Sequence, residues 1–376
     1  MAGYVFSIHD KDSLIYCINN GIYSTNLSTP SNNRWCTHHE GTFADYISMK
    51  QGDNVYFFIK RNIYGIGEMI NIGHACRYKN YPESFQPITM KYDDIKDTML
   101  INDDISNVNN RLICTFKHSP NFFENGVDMD DVLASNPNHF RMLRAFWKSS
   151  FIKIDDEENK ALRDVILKRN EEAIGYDNQT FCFYNSQHNN MNRMINHRYD
   201  LSTEDILDNC HEGTYIKHEM AIETYIIDII SNRQNSIFGR WDYVSHQVIA
   251  SPFKAIEYMD KMDVFGYKYI KGFNTISKYL VIELKKDTAK KDAIDQIMKY
   301  VDWINQEYAY GDYSMIQAFI VAYDFPQDVI DYRNSVCIRN YIRGRRPVNP
   351  DKWSYVKLIK YAYDEKSKNL ILREIN

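Results

Sequence analysis

The sequence predicts two parts: an α+β N-terminal half with a small β-barrel and an α/β C-terminal half with one crossover helix. The chain has 376 residues, which is long enough for two or three domains. Residues 41–72 combine glycine and turn residues with aromatic and β-branched residues, a pattern typical of short barrel strands. Between residues 217 and 323 the pattern becomes helix, three strands, helix and strand, which indicates an α/β sheet.

The N-terminal barrel is predicted from two strands that are close in sequence. Residues 55–59 are rich in aromatic and β-branched side chains, and residues 63–72 form the next strand. Gly65 and Gly67 do not begin a dinucleotide-binding fingerprint, because the third glycine is missing and no helix follows. We interpret them as a tight bend in the barrel.

This block resembles the PUA-like superfamily, particularly its EVE and YTH branches. In those branches a Gly-Asp-x-aromatic strand precedes a Gly-x-Gly-x-apolar strand, and Gly52-Asp53 and Gly65-Ile66-Gly67 carry the similarity here. The resemblance covers about the first 150 residues. It implies a domain, assigned to residues 1–175, that recognises nucleic acid and holds one flipped or modified base in an aromatic cage.

The cage residues are predicted by position. Trp35 lies in a polar loop and is the first candidate, with Tyr56, Phe58 or Tyr64 beside it. The alternative is that these aromatic side chains form the barrel core, and for Tyr56 we favour that alternative. The asparagine-rich residues 184–193 predict a flexible linker within residues 176–211, and residues 212–376 form the second domain.

The C-terminal half is organised around residues 279–287, an apolar run that ends in charged residues. Side chains alternate across a strand, so Glu283 and Lys285 point to the same face. A carboxylate and an ammonium at a strand end can bind a metal ion and orient a water molecule. Taken alone, this pair is better explained as a solvated charge pair, because acid-x-Lys also occurs at 94–96 and 364–366.

Acidic residues on neighbouring elements strengthen the interpretation of Glu283 as a functional residue. Glu219 and Glu223 share one face of a predicted helix, and a carboxylate aimed at packed surface is costly unless it has a partner. The preference of helix starts for acidic residues explains Glu219 better than Glu223. Asp263 enters the next apolar strand.

This order resembles the PD-(D/E)xK nuclease superfamily, and more narrowly the NucS/EndoMS endonuclease group, over roughly residues 215–330. The similar motifs are Glu-x-x-Ile-Glu ending at Glu223, Val-Ile-Glu-Leu-Lys-Lys around Glu283, and Gln-x-x-x-Tyr-Val beginning at Gln296. The implied fold is an α/β restriction-endonuclease-like domain. The chain departs from that group in a longer segment between residues 250 and 261 and in its N-terminal domain, so mismatch specificity is not carried over.

The resemblance implies a catalytic site of six side chains: Glu219, Glu223, Asp263, Glu283, Lys285 and Gln296. Asp263 and Glu283 would bind Mg²⁺ or Mn²⁺, with one of the two helix carboxylates bound directly or through water. Lys285 would orient the attacking water, and Gln296 would help to hold it. Contacts to the nucleic-acid backbone are expected from five basic residues, although a solvated face is the alternative for each: Lys60, Arg61, Lys286, Lys290 and Lys291.

Composition limits the classes of partner. The net charge of −5 argues against indiscriminate nucleic-acid binding but permits local basic grooves. No apolar run reaches the ~20 residues of a membrane span, so we expect no membrane partner. Seven scattered cysteines without a Cys-x-x-Cys motif, and no signal-peptide pattern, predict reduced thiols and a cytoplasmic protein.

The first functional hypothesis is a metal-dependent DNA endonuclease whose PUA-like domain selects the target through a modified base. By analogy, this architecture is typical of prokaryotic modification-dependent restriction and antiviral defence enzymes. A catalytically inactive nucleic-acid-binding module is one alternative. A ribonuclease with the same site is another, because PUA-like domains also bind RNA. The sequence leaves open whether the protein forms a homodimer.

Overall fold

The structure is a computed structural model. It describes residues 1–28, 33–146, 150–174, 179–232, 236–250 and 259–375. The chain divides into two compact units. The first unit contains residues 1–34 and 45–202, and the second contains residues 35–44 and 203–376. Both are mixed α/β structures, which agrees with the predicted class.

In the described residues of the first unit, eight strands form one sheet. Six of them have the order β2-β6-β4-β3-β1-β8; of the other two, β5 pairs with β6 and β7 pairs with β4. The strands β1 to β8 are Gly3–Ser7, Ile22–Asn26, Asn54–Ile59, Asn62–Met69, Arg77–Lys79, Asn110–His118, Val127–Asp128 and Phe151–Ile154. The helices α1 to α6 are Lys11–Asn20, Thr37–Ser48, Tyr92–Ile95, Met129–Ser135, Asp156–Arg169 and Ser186–Met194. Helix α2 begins in the segment grouped with the second unit.

The predicted strands β3 and β4 are confirmed, and both faces of β3 are buried. On one face Tyr56 packs in a core that includes Leu162 and Ile166 of α5. On the other face the ring centre of Phe57 lies 5.6 Å from that of Phe116. Alternating side chains therefore supply two apolar layers from one strand.

Gly65 lies against an aromatic ring of this core. A Cβ atom at Gly65 would lie 2.7 Å from Cδ1 of Tyr56, closer than any side chain permits. The glycine is therefore required by close packing inside β4. The PUA-like fold itself stays a prediction.

Two segments predicted as irregular form regular structure. The asparagine-rich stretch predicted as a flexible linker contains α6, which buries His188 and Met191, so that prediction is wrong. His188 Nε2 contacts the carbonyl oxygen of Gly21 at 2.9 Å. The sequence missed this helix because its apolar content is low, whereas its packing depends on two side chains that reach the body of the first unit. For the second segment, residues 339–347, the basic sequence Arg-Asn-Tyr-Ile-Arg-Gly-Arg-Arg-Pro predicts a loop, but Arg339–Arg345 pairs antiparallel with Val348–Trp353 in a hairpin.

In the described residues of the second unit, six strands form a sheet with the order β11-β12-β13-β14-β17-β18, and β9–β10 and β15–β16 form two small ladders. The strands β9 to β18 are His211–Glu212, Tyr215–Ile216, Tyr243–Ile249, Lys261–Tyr269, Ile276–Thr288, Ile316–Asp324, Arg339–Arg345, Val348–Trp353, Val356–Asp364 and Asn369–Ile375. The helices α7 to α10 are Thr203–Asp208, Glu219–Ser231, Lys291–Glu307 and Gln327–Val336. Within the segment between 250 and 261, residues 251–258 lie outside the described residues.

The predicted order of elements between 217 and 323 is confirmed. Strands β13 and β14 are parallel neighbours, and α9 connects them across the sheet. Ala293, Ile297 and Ile304 of α9 are fully buried, because they recur at helical spacing on the face that covers β13 and β14. The sequence also predicts a hairpin around residues 364–368, and it is present: β17 pairs antiparallel with β18 and extends the sheet by pairing in parallel with β14. The connection to β17 contains α10, so it is a second crossover that the sequence did not predict.

All seven cysteines are free thiols, as predicted. In the part of the chain that the structure describes, no helix combines the length and apolar character needed to cross a membrane.

Candidate metal-dependent hydrolase site

The two strand carboxylates lie next to each other in the second unit. Val264 of β12 pairs with Ile282 of β13 in an antiparallel ladder, and Asp263 precedes Val264 whereas Glu283 follows Ile282, so the two acids lie across from each other on adjacent strands. Asp263 Oδ2 accepts a hydrogen bond of 2.7 Å from the backbone N–H of Leu284. The register of the two strands therefore brings the predicted pair of ligands together.

Glu283 is the most enclosed acid of this group. Its side chain is 0% exposed, and Lys285 Nζ donates a hydrogen bond of 2.5 Å to Glu283 Oε1. The predicted same-face placement of Glu283 and Lys285 is thus seen as a direct ion pair. The other oxygen, Glu283 Oε2, is buried and lacks a hydrogen-bond partner among the described residues. Burying a carboxylate oxygen without a hydrogen bond costs folding free energy, and an ion pair with a purely structural role would avoid that cost.

Burial, with neighbouring negative charge as a smaller cause, raises the pKa values of both acids. Burial, followed by the charges of Glu283 and Glu223, raises the pKa of Asp263 well above its usual range. Burial raises the pKa of Glu283 to about 7, although the Lys285 ammonium opposes that shift. The pKa of Lys285 is raised, because the charges of Glu283, Glu219 and Asp263 outweigh its burial. The cluster therefore favours an added positive charge.

Both helix carboxylates approach this cluster, in different ways. Glu223 is 1% exposed, and its Oε1 lies 2.6 Å from Nδ1 of the buried His246 on β11. Glu219 begins α8 and is partly exposed, and its Oε2 accepts a 3.0 Å hydrogen bond from the backbone N–H of Lys286. The carboxylate of Glu223 therefore contacts other side chains, whereas the carboxylate of Glu219 binds the backbone near the charged end of β13.

Gln247 is a contact of this site that the sequence did not predict. It lies between the paired residues His246 and Val248, opposite Asp263, and has φ of +51°, a conformation that is rare for residues other than glycine. From this position its amide approaches two acids: Nε2 lies 3.3 Å from Glu223 Oε2 and 3.4 Å from Asp263 Oδ1. The polar pair His246-Gln247 inside an otherwise apolar strand was the available signal. Strained residues of this kind concentrate at functional sites.

Gln296 lies on α9 and contacts Tyr300 rather than Lys285. Gln296 Nε2 donates a 2.8 Å hydrogen bond to the hydroxyl of Tyr300, which donates a 2.6 Å bond to the carbonyl oxygen of Lys261. Burial raises the pKa of Tyr300, and the charges of Glu283 and Asp263 act in the same direction. The predicted role of Gln296 in holding the water beside Lys285 stays a prediction. Gln296 ties α9 to the start of β12.

The donor types fit a hard divalent cation. Asp263 and Glu283 supply carboxylate oxygens, which Mg²⁺ and Mn²⁺ prefer, and Glu283 Oε2 accepts no hydrogen bond from the described residues that an ion would have to replace. Among the described residues, Glu223, Asp263 and Glu283 do not bring three ligand oxygens within 4.8 Å of one another. Binding a cation through all three would therefore require their side chains to move together.

The basic residues predicted to contact a nucleic-acid backbone are dispersed. Arg61 forms an ion pair with Asp130, and Lys291 Nζ lies 3.3 Å from Asp328 Oδ2. Lys286 Nζ donates to the carbonyl oxygen of Lys217. Lys60 is exposed beside the β3–β4 turn, and Lys290 is exposed at the N-cap of α9. Their contacts with phosphate stay a prediction.

The predicted aromatic cage is not present as one set. Trp35 is 1% exposed, groups with the second unit, and packs edge-to-face on Phe43 at 5.3 Å. Tyr56 is fully buried in the core of the first unit, where its hydroxyl donates to Asn159 Oδ1 at 2.8 Å. Neither ring offers a face to a base, because apolar neighbours occupy that space. Phe58 and Tyr64 are partly exposed and remain candidates.

The chain matches no protein-family model and no curated protein. Among solved structures, a repair endonuclease from Pyrococcus abyssi is similar over 26% of this chain, with 22% sequence identity and a TM-score of 0.18. The match spans 34% of that protein's own chain. A likeness of this size does not establish a shared fold.

Proposed function

We propose that the second unit is a divalent-metal-dependent phosphodiester hydrolase that cleaves DNA internally. The observation that carries the proposal is the buried carboxylate of Glu283, which has one oxygen on Lys285 and the other without a hydrogen-bond partner in the described structure. An acid, a second acid and an ammonium at adjacent strand positions are the groups that metal-assisted phosphate hydrolysis requires. The motif resemblance around Glu283 and Gln296 points to the same activity.

Each side chain has a role that follows from its position. Asp263 and Glu283 would hold Mg²⁺ or Mn²⁺, which supplies a more acidic bound water and offsets charge on the phosphate. The Lys285 ammonium would stay protonated and stabilise the negative charge that develops on the phosphate oxygens. Glu223, whose carboxylate contacts His246 and Gln247, would add a third acidic side chain to the site.

The first unit would select the target, and the partly exposed Phe58 and Tyr64 are the remaining candidates for stacking on a base. A modified base is the proposed target, and defence against foreign DNA is the proposed role. Both proposals depend on the resemblance of residues 41–72 to PUA-like domains.

The test is cleavage of DNA duplexes that are unmodified or carry modified cytosine or adenine, with Mg²⁺, with Mn²⁺ and with chelator. Glu283→Gln keeps the shape of the side chain and should lower the rate by at least about 10²-fold. Glu374→Gln is the matched control, because Glu374 lies on β18 of the same sheet and pairs with Lys357 at 2.9 Å. It should cleave like the wild type.

Three outcomes separate the hypotheses. Metal-dependent DNA cleavage that is lost in Glu283→Gln and kept in Glu374→Gln supports the proposal. Cleavage of RNA but not of DNA by the same residues would replace it with a ribonuclease. Retained nucleic-acid binding with no cleavage of either polymer would leave a binding module built on a nuclease-like site.

A further inference from the structure

Two histidines and one aspartate meet at the surface of the first unit. His74 Nε2 lies 2.5 Å from Asp200 Oδ1, and His197 Nδ1 lies 3.0 Å from Asp200 Oδ2. The two imidazole ring centres are 5.2 Å apart. In the described ranges, this is the group of three potential metal ligands whose donor atoms all lie within 4.8 Å of one another. The sequence offered no spacing motif for it, because His74 and Asp200 are 126 positions apart.

The fold holds the two ligand-bearing segments on one shared core. His74 lies in the turn between β4 and β5, which closes with a bridge between Ile72 and Ala75. His197 begins a short 3₁₀ helix, His197–Tyr199, and Asp200 follows it. Ile72 before His74 and Tyr199 before Asp200 are buried in the same apolar cluster. The two segments are therefore positioned by packing that does not involve the ligands themselves.

Further contacts stiffen both segments. The hydroxyl of Tyr78 accepts a 2.8 Å hydrogen bond from the N–H of Ala75 and donates to the carbonyl oxygen of Ile72, which defines the His74 turn. Asn196 Oδ1 caps the 3₁₀ helix by accepting from the N–H of Arg198 at 3.0 Å. The Tyr199 hydroxyl donates to the carbonyl oxygen of Thr98 at 2.8 Å. Supported ligands of this kind are what a metal site needs.

We propose that His74, His197 and Asp200 bind a divalent transition-metal ion of the zinc class, with the fourth position open to water or to an external ligand. Two imidazole nitrogens and one carboxylate oxygen form a set that suits Zn²⁺, Co²⁺ and Ni²⁺, whereas Mg²⁺ and Ca²⁺ take oxygen ligands. The chemistry thus differs from that of the two-acid site in the second unit.

The spacing of the donor atoms is compatible with such an ion after a small opening. Tetrahedral Zn²⁺ with bonds of ~2.0–2.1 Å separates neighbouring ligand atoms by roughly 3.3 Å. The present separations of 2.5 and 3.0 Å are those of imidazole–carboxylate hydrogen bonds, and the ion would replace them. His74 and His197 are 43% and 93% exposed, so both rings have room to rotate by that amount.

A bound ion would join the β4–β5 turn to the chain just before the second unit. It would stabilise the folded first unit by an amount that grows with the logarithm of the free ion concentration above the dissociation constant, because an unfolded chain cannot bring ligands 126 positions apart together. The proposal does not rest on the nuclease activity, and its test uses none.

The test uses the full chain, stripped with chelator and then titrated with Co²⁺ as a visible probe and Zn²⁺ as competitor. The wild type should bind one Co²⁺ at this site with absorption bands of a nitrogen- and oxygen-ligated ion, which Zn²⁺ should displace. His74→Ala, His197→Ala and Asp200→Asn should each weaken binding at least tenfold. His9→Ala is the matched control, because His9 is an exposed histidine of the same unit, and it should bind like the wild type.

A second readout is the thermal shift on adding Zn²⁺, which should be present in the wild type and His9→Ala and absent in the ligand variants. Circular dichroism checks that each variant is folded, and the highly exposed His197 gives the variant least able to disturb folding. Failure to bind Zn²⁺ or Co²⁺ at concentrations on the order of 100 μM would overturn the proposal. So would binding that the ligand variants leave unchanged, or a thiolate charge-transfer band, which would place the ion on a cysteine.

Discussion

The buried contact between Glu223 and His246 carries a prediction about the stability of the second unit. The two side chains are 1% and 9% exposed, and Oε1 lies 2.6 Å from Nδ1. If one member of a buried, hydrogen-bonded pair is removed, the other loses this partner in a low-dielectric interior. The free energy of unfolding then falls by about 3–5 kcal/mol. Removing both members avoids that penalty, so the double substitution should cost less than the sum of the two single ones.

The measurement is a double-mutant cycle with Glu223→Ala, His246→Ala and both together. We expect a coupling energy of about 1–3 kcal/mol in the free energy of unfolding. Four of the five tryptophans belong to the second unit: Trp35, Trp241, Trp303 and Trp353. With Trp147→Phe in every variant, fluorescence during urea unfolding reports the second unit, which matters because a chain of two units need not unfold in one step.

The control is a substitution of His211, another histidine of the second unit, whose contacts differ from those of His246. The ring of His211 stacks on Tyr363 at 4.4 Å, and His211→Ala combined with Glu223→Ala should be additive within about 0.5 kcal/mol. A Glu223–His246 coupling energy no larger than that of this control would refute the reasoning. Glu223 would then owe its position to the packing of α8 alone.

Three further predictions concern buried polar groups and thiols of the first unit. Burial raises the pKa of Glu158 to about 8, so the folded state holds a proton that the unfolded chain releases near 4.5. Stability should therefore fall as pH rises from about 4.5 to 8, and Glu158→Gln should flatten this fall in thermal melts. The Arg111 side chain donates hydrogen bonds to the carbonyl oxygens of four residues: Leu27, Ser84, Gln86 and Ile88. The substitution Arg111→Lys should therefore lower the free energy of unfolding by roughly 2–4 kcal/mol and speed up hydrogen exchange in residues 84–88. Maleimide should label the exposed Cys182 rapidly, whereas the buried Cys76, whose pKa is raised to about 11 by burial, should react only on unfolding; equal rates would contradict the packing.

The elements of the second unit could be read from the sequence because their patterns are local. The apolar run before Glu283 indicates a buried strand, the helical spacing of apolar residues after it indicates α9, and alternation along β13 puts Glu283 and Lys285 on one face. The acid on β12 could be linked to them because consecutive strands usually pair. The same reasoning failed for α6, whose helix is stabilised by two buried contacts rather than by an apolar stripe.

Aromatic residues in the first unit illustrate the limit of position-based prediction. Trp35 follows a polar stretch and was expected at the surface, yet it is buried against Phe43. A large apolar ring gains more from burial than from exposure in a loop, and the sequence does not say which surface covers it.

By itself, the sequence determined the strands and helices with strong periodicity, the free thiols, and the acid and lysine residues of the candidate site. Tertiary structure decided which groups surround those residues: His246 and Gln247 against Glu223, and Tyr300 as the partner of Gln296. It also decided that His74 meets Asp200 across 126 positions of chain. The physical reason is that periodicity reports which face of an element is buried, whereas contacts between distant segments depend on register, bulges and packing that no local window contains.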